Sequence, residues 1–212
     1  MIQTFRTGGD RNLGYLAADE SAGECLVIDP SYDPLSIVSY AHENGLRILY
    51  AFNTHDHADH TNGNAAFQRA CGVQPLQWRD REPLTQVLID DGATLPLGRL
   101  TVHILHTPGH TPDSICIWLN GAVFTGDTLF VGKVGGTDLG DGARQEYDSL
   151  HRKLLTLPPE TRIYPGHDVG TTLESTLGHE RETNPFLQQP DFAAFLHLKA
   201  NWAAYKKEHG IA

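Results

Sequence analysis

With 212 residues, 40% hydrophobic and 20% charged, the chain has an ordinary globular composition and is long enough to bury a core without staples. A formal net charge of −10 without any Lys/Arg cluster argues against a nucleic-acid partner, and no run approaches the roughly 18 apolar residues that a membrane span needs. Cys25, Cys71 and Cys116 form no CxxC pair, and "MIQTFRTGGD" has no apolar core of signal-peptide length, so reduced thiols and a cytoplasmic location are expected.

In chain order, "NLGYLAAD" (12–19) and "ECLVIDP" (24–30) read as a hairpin-like pair of strands. "DPLSIVSYAHENG" (33–45) reads as a helix, with Leu35, Val38 and Ala41 at helical spacing between Pro34 and Gly45. "LRILYAFN" (46–53) is a continuous apolar run, as expected of a strand buried on both faces. "HTNGNAAFQRACG" (60–72) reads as a helix ending at Gly72. Strands return in "TQVLID" (85–90), "LTVHILHTPG" (100–109), "SICIWLN" (114–120) and "AVFTGD" (122–127), separated by Asp91-Gly92 and Asn120-Gly121 turns. An amphipathic helix over 145–158 carries Tyr147, Leu150, Leu154, Leu155 and Leu157 on one side. "RIYPGHD" (162–168) is a strand with a polar end, and a helix is expected within 172–184. The tail from Asp191 to Gly210 reads as a further helix whose aromatic stripe suits core packing. Strands alternating with helices, and no linker rich in Pro, Gly or Ser, predict a single α/β domain over 1–212 with a helical tail from about 185.

Chemistry concentrates where the apolar runs stop. "HDHADH" follows 46–52, "HTPGH" follows 101–105, "TGD" follows 122–124 and "YPGHD" follows 162–164. If those strands are neighbours, His55, His57, Asp59, His60, His110, Asp127 and His167 converge. Imidazole and carboxylate suit zinc, iron and manganese alike. One tetrahedral ion needs about four ligands; seven suit two ions roughly 3.5–4 Å apart, sharing a bridging aspartate and holding a hydroxide between them. A chain of this composition should contain only about 0.003 chance matches to H-x-H-x-D-H, so a merely solvated loop is a poor account of residues 55–60. Asp56, between two of the histidines, could orient an imidazole or simply be solvated.

"THDHADH", "TPGHT", "FTGDTLF" and "YPGHD", in that order and spacing, resemble the metallo-β-lactamase superfamily, over about residues 1–190. Within it the chain looks most like the glyoxalase II-like hydrolases and the related persulfide dioxygenases, and "STLGHERETNPFL" is similar to the closing segment of short glyoxalase II-like proteins. The resemblance implies an α/β fold of the αββα four-layer sandwich type with the metals at one rim. It implies a first ion on His55, His57 and His110, a second on Asp59, His60 and His167, and Asp127 as the bridge, so that catalysis leans on Asp59 and Asp127. The function implied is a metal-dependent hydrolase, with two divalent ions, zinc foremost, cleaving a small thioester of the hydroxyacyl-glutathione kind. The alternatives are a mononuclear-iron persulfide dioxygenase using His55, His110 and Asp127, or a non-catalytic metal-binding protein. The chain departs from the glyoxalase II pattern at Gly136, where a basic residue would stand, and in its short tail. Glutathione compounds are therefore expected to bind weakly, with Lys133 or Arg144 as possible substitutes.

Overall fold

In the computed structural model, which describes residues 1–211, the central strands of both sheets are buried on both faces, as β2 and β9 are along their whole length. Strands β1 (Ile2–Gly8), β2 (Asn12–Asp19), β3 (Glu24–Ile28), β4 (Arg47–Phe52) and β5 (Pro75–Leu76) lie side by side in that order. The expected pair β2–β3 is antiparallel, with Tyr15 opposite Ile28, whereas β3–β4 and β4–β5 are parallel. β1, unforeseen in the sequence, pairs antiparallel with β2.

The second sheet runs β13-β12-β9-β8-β7-β6, from β6 (Thr94–Leu97), β7 (Leu100–His106), β8 (Ile115–Leu119), β9 (Ala122–Gly126), β12 (Arg162–Pro165) and β13 (Ser175–Thr176). β9 and β12 are parallel neighbours; the other pairs are antiparallel. A small hairpin joins β10 (Leu129–Phe130) to β11 (Lys133–Val134).

Alternate residues of one strand serve different layers. Leu13, Tyr15 and Ala17 of β2 face the space between the sheets, where they meet Ile104, Ile117 and Phe124 of the second sheet. Leu16 and Ala18 face outward onto Ile37 and Ala41 of α1 (Pro34–Glu43) and Phe67 of α3 (Asn64–Cys71). Cys116, Val123 and Ile163 face the opposite side, against Leu150 of α4 (Asp141–Arg152), Leu177 of α5 (Leu177–Thr183) and Phe195 and Leu198 of α6 (Phe192–Ala200). The result is helix, sheet, sheet, helix: the four-layer sandwich that was expected. No helix among the described residues is long and apolar enough to cross a membrane.

Several expected elements differ. "TQVLID" forms no strand: Gln86 sits at φ +61, Glu82 accepts from the amides of Leu84 and Thr85 in a turn, and only an isolated bridge, Arg81 to Leu88, remains. The helix over 60–72 is split into α2 (Ala58–Thr61) and α3, because Gly63 presses on the chain at Pro30 so closely that a Cβ there would lie 1.9 Å from the Pro30 carbonyl oxygen. In α1 the core residues are Pro34, Ile37 and Ala41, and Leu35 is exposed. The helix over 145–158 starts earlier, at Asp141, and gives way to a 3-10 turn at Leu154–Thr156. Helix α5 covers only the end of 172–184, capped by Thr176. The tail bends at Asn201 into α6 and α7 (Trp202–His209).

Candidate metal centre

Four of the seven site residues follow the parallel strand β4. Asn53 is buried and its side chain donates to the His60 carbonyl oxygen, 2.9 Å, which folds the chain back into the single turn of α2. That turn places Asp59 and His60 beside His55 and His57. His110 lies in the β7–β8 loop, Asp127 directly after β9 and His167 just beyond β12. Because β9 and β12 are adjacent and parallel, Asp127 and His167 emerge together. The first sheet closes the rim: Leu13 N donates to Gly166 O, 2.8 Å, and Thr54 O accepts from Ile115 N, 2.8 Å. Gly166 lets the chain pass close to the cluster, since a Cβ there would lie 2.3 Å from Asp127 Oδ1 and 2.9 Å from His60 Cε1.

All seven residues come together. His55 Nε2 lies 2.9 Å from His57 Nδ1, which lies 3.1 Å from His110 Nε2. His60 Nε2 lies 3.3 Å from His167 Nε2, with Asp59 Oδ2 at 3.7 and 3.4 Å from the two. Asp127 stands between the groups: Oδ1 is 3.5 Å from His60 Nε2, and Oδ2 is 3.6 Å from His110 Nε2 and 3.4 Å from His167 Nε2. The rings of His55 and His167 flank that of His60, at 4.2 and 5.2 Å between centroids. Three sets have ligand atoms mutually within 4.8 Å: His55, His57 and His110; Asp59, His60 and His167; and, joining them, His55, His60 and Asp127.

Four of the five imidazoles are aimed by their other nitrogen. His110 Nδ1 donates to Gly136 O, 2.7 Å, and His167 Nδ1 to Asp10 O, 2.8 Å. A carbonyl only accepts, so the proton is on Nδ1 and the Nε2 lone pair faces inward. His60 Nδ1 meets Asp29 Oδ2 at 2.9 Å. The Thr54 hydroxyl donates to Asp29 Oδ2, 2.8 Å, and so accepts from His55 Nδ1, 3.1 Å. Ring nitrogens facing one another at 2.9–3.3 Å must share a proton or a metal ion, since two lone pairs at that separation repel. The buried Asp127 Oδ1 has no hydrogen-bond partner. These orphaned acceptors fit metal ions.

The electrostatics of the cluster point the same way. Burial, then the neighbouring His60, push His55 down to about 3. Burial acts to lower His60 as well, but the carboxylate of Asp29, followed by those of Asp127 and Asp59, overrides it and raises His60 to about 9. Burial would raise Asp127, yet His167 and His60 hold its carboxyl well below the usual range. A positive charge is therefore favoured at the His60 end, which a proton or a metal ion can supply.

Asp29 was not singled out from the sequence, although it ends an apolar run as the other site residues do. It holds a left-handed φ of +46°, is buried, and binds Thr54 N, Thr54 Oγ1 and His60. Asn12, also missed, donates to Asp59 Oδ2, 2.9 Å. Asp56 does not orient an imidazole: its carboxylate accepts from Gln77 and its amide donates to Asp113.

A cleft of about 540 Å³ opens next to the Asp59–His60–His167 side, walled by Val131, Val169 and Trp202 and carrying Arg11, Lys133 and Lys206. Lys133 of the cleft stands over the Phe130 ring, 5.1 Å from its centroid, and that ring lies 6.0 Å from the ring of His167. Burial and the nearby Lys206 lower Lys133. Arg144 is elsewhere, beside Asp148 and over the Phe192 ring.

A four-layer sandwich with a His/Asp cluster at one rim defines a class of metal-binding α/β proteins. The family model described as the metallo-beta-lactamase superfamily matches residues 7–77 and 74–167, and the chain belongs to that superfamily. It is 37% identical over 178 residues to the human mitochondrial persulfide dioxygenase ETHE1, covering 82% of this chain and 70% of that protein. It is 35% identical over 196 residues to a hydroxyacylglutathione hydrolase of Nitrosococcus oceani, covering 88% and 72%. The crystal structure of ETHE1 from Myxococcus xanthus superposes with a TM-score of 0.84 at 32% identity, covering 95% of this chain and 91% of that one.

Proposed function

We propose that the chain is a metal-dependent hydrolase that cleaves a small thioester, with His55, His57 and His110 holding one divalent ion and Asp59, His60 and His167 a second. The observation that carries this is the pair of three-residue sets with Asp127 reaching both. Two divalent ions, zinc foremost with iron and manganese also compatible, would supply an activated water and polarise the carbonyl oxygen. The chain's own residues do the rest. Asp127 fixes the distance between the two sets. Asp29, Thr54, Asp10 O and Gly136 O orient the imidazoles, and Asn12 orients Asp59. The cleft cations Arg11, Lys133 and Lys206 suit an anionic thiol-bearing portion of the substrate, such as the carboxylates of a glutathione conjugate. They supply the positive charge that Gly136 does not, which favours glutathione-type substrates more than the sequence did. No cysteine serves as nucleophile: burial pushes Cys25 up to about 12 and Cys116 to about 11 and raises Cys71 as well, and none of the three belongs to the cluster. A soluble location in the cytoplasm accords with this reading.

A second reading, persulfide dioxygenase, is favoured by the ETHE1 relatives and by the Asn12 hydrogen bond that already occupies Asp59 Oδ2. One iron would then be held by His55, His110 and Asp127, two histidines and a carboxylate. The deciding experiment is metal analysis of anaerobically purified protein alongside thioester cleavage and oxygen uptake with a glutathione persulfide. About two ions per chain with thioester cleavage supports the hydrolase. One iron per chain with persulfide-dependent oxygen uptake replaces it with the dioxygenase.

A further inference from the structure

His110 is held from behind by two backbone segments, and both lean on one buried ion pair outside the metal cluster. Lys199 of α6 meets Glu146 of α4 in a direct salt bridge, with side-chain exposures of 5% and 0%. The same ammonium donates to Gly135 O, 2.7 Å. The next carbonyl, of Gly136, is the one that accepts from His110 Nδ1. Gly135 itself is wedged between site residues: a Cβ there would lie 2.0 Å from Asp127 O and 3.2 Å from His110 Cβ. On the other flank, Gly109 rests on Glu146 so closely, at φ +149°, that a Cβ would lie 2.4 Å from Glu146 Cβ. Ser149, one turn on in α4, donates to Pro108 O, 2.7 Å. The loop is held at further points from the same side: Gly132 N donates to Glu180, and Asn184 donates to Lys133 O.

We propose that Lys199, with Glu146 as its buried counter-charge, is a positioning residue for His110: the pair spans the backbones on both sides of this imidazole and sets the direction of its Nε2. Lys199 lies beyond residues 7–167, where the superfamily match ends, so the tail is part of what builds the site. A buried ion pair of this kind contributes little net stability, since desolvation offsets attraction. Its value here is geometric. This inference rests on the reading of His110 as a metal ligand, yet it also predicts the state of His110 without metal.

The test uses the full-length chain with two readouts. The first is the ¹⁵N spectrum of the metal-free protein, which reports the His110 tautomer. The second is Co²⁺ affinity and absorption spectrum by chelator competition. Lys199→Met/Glu146→Gln removes both charges without stranding either; if it does not fold, Lys199→Gln takes its place and is read in the same way. We expect loss of the single Nδ1–H tautomer of His110 and a Co²⁺ affinity about 10–100-fold weaker with an altered spectrum, the range for residues that orient a metal ligand. Lys199→Arg, which keeps the charge and a donor, should restore both. A variant that keeps the wild-type tautomer and Co²⁺ affinity overturns the proposal. Wild-type protein that binds no Co²⁺ instead removes the metal reading, and the tautomer comparison then decides the positioning role alone.

Discussion

Asp29 serves two of the seven clustered side chains at once, binding His60 directly and His55 through the Thr54 hydroxyl. Asp29→Ala should weaken metal binding about 10–100-fold, the usual cost of losing a group that orients a ligand. It also strands the buried Thr54 amide, which adds about 1–3 kcal/mol of destabilisation; metal titration and urea unfolding separate the two effects. Asp59→Ala tests the reaction. If Asp59 holds a second ion, the content falls from about two ions per chain toward one and thioester cleavage falls by orders of magnitude. If a single iron is retained and persulfide-dependent oxygen uptake persists, the hydrolase reading is wrong. The seven residues were legible because each ends or follows an apolar run and carries metal-type chemistry. Asp29 obeys the same rule, but followed by Pro30 it reads as turn punctuation. The carbonyls of Asp10 and Gly136 have no side-chain signature at all.

At the scale of elements, the helices behind the second sheet do more than cover it. Burial raises Glu146 of α4 from 4.5 to about 7, with Lys199 of α6 pulling the other way. The folded chain therefore holds this proton above the pH at which the unfolded chain has released it. Its contribution to stability is present below pH 4.5 and is lost as the pH rises toward 7, where Glu146 ionises and becomes the full counter-charge of Lys199. Urea unfolding across that range should show a shallower fall in stability for Glu146→Gln than for the wild type. The cleft between β11 and α7 gives a separate expectation. Lys133→Ala should raise KM for a glutathione thioester severalfold with little change in kcat, since the side chain lines the cleft and is not among the clustered ligand residues. An unchanged KM would place the substrate elsewhere. Element boundaries were the weak part of the sequence reading. Gly63 against Pro30, the Glu82-capped turn and the bend at Asn201 are all set by contacts or caps that apolar periodicity does not encode.

For the whole molecule, the layer between the two sheets sets stability. Phe124 is fully buried there, packed against Tyr15 and Tyr164 with ring centroids at 5.2 Å from each. Phe124→Ala should cost about 3–5 kcal/mol in urea unfolding, from lost burial and the cavity left behind. The metal site joins both sheets, so bound ions should act as a clasp. Adding Zn²⁺ to metal-free protein should raise Tm, by an amount that grows with free metal concentration, and a chelator should reverse it. A Tm indifferent to metal would mean that the cluster binds no ion tightly in the folded state.

The sequence by itself determined the layering and the identity of the clustered residues. Continuous apolar runs, buried on both faces, encode the strands of two covered sheets, and a rare H-x-H-x-D-H run with three polar strand ends encodes a shared rim, because the end of a strand is where side chains escape the core. Only the tertiary structure decided how that rim is held. Which imidazole nitrogen faces inward depends on Asp10, Gly136, Thr54 and Asp29, brought from distant parts of the chain. The cations of the cleft come from Arg11, Lys133 and Lys206, and the pair behind His110 joins residues 146 and 199. Such contacts are pairings across sequence distance. Local pattern carries no record of them, since burial and hydrogen bonding are satisfied only once the layers have packed.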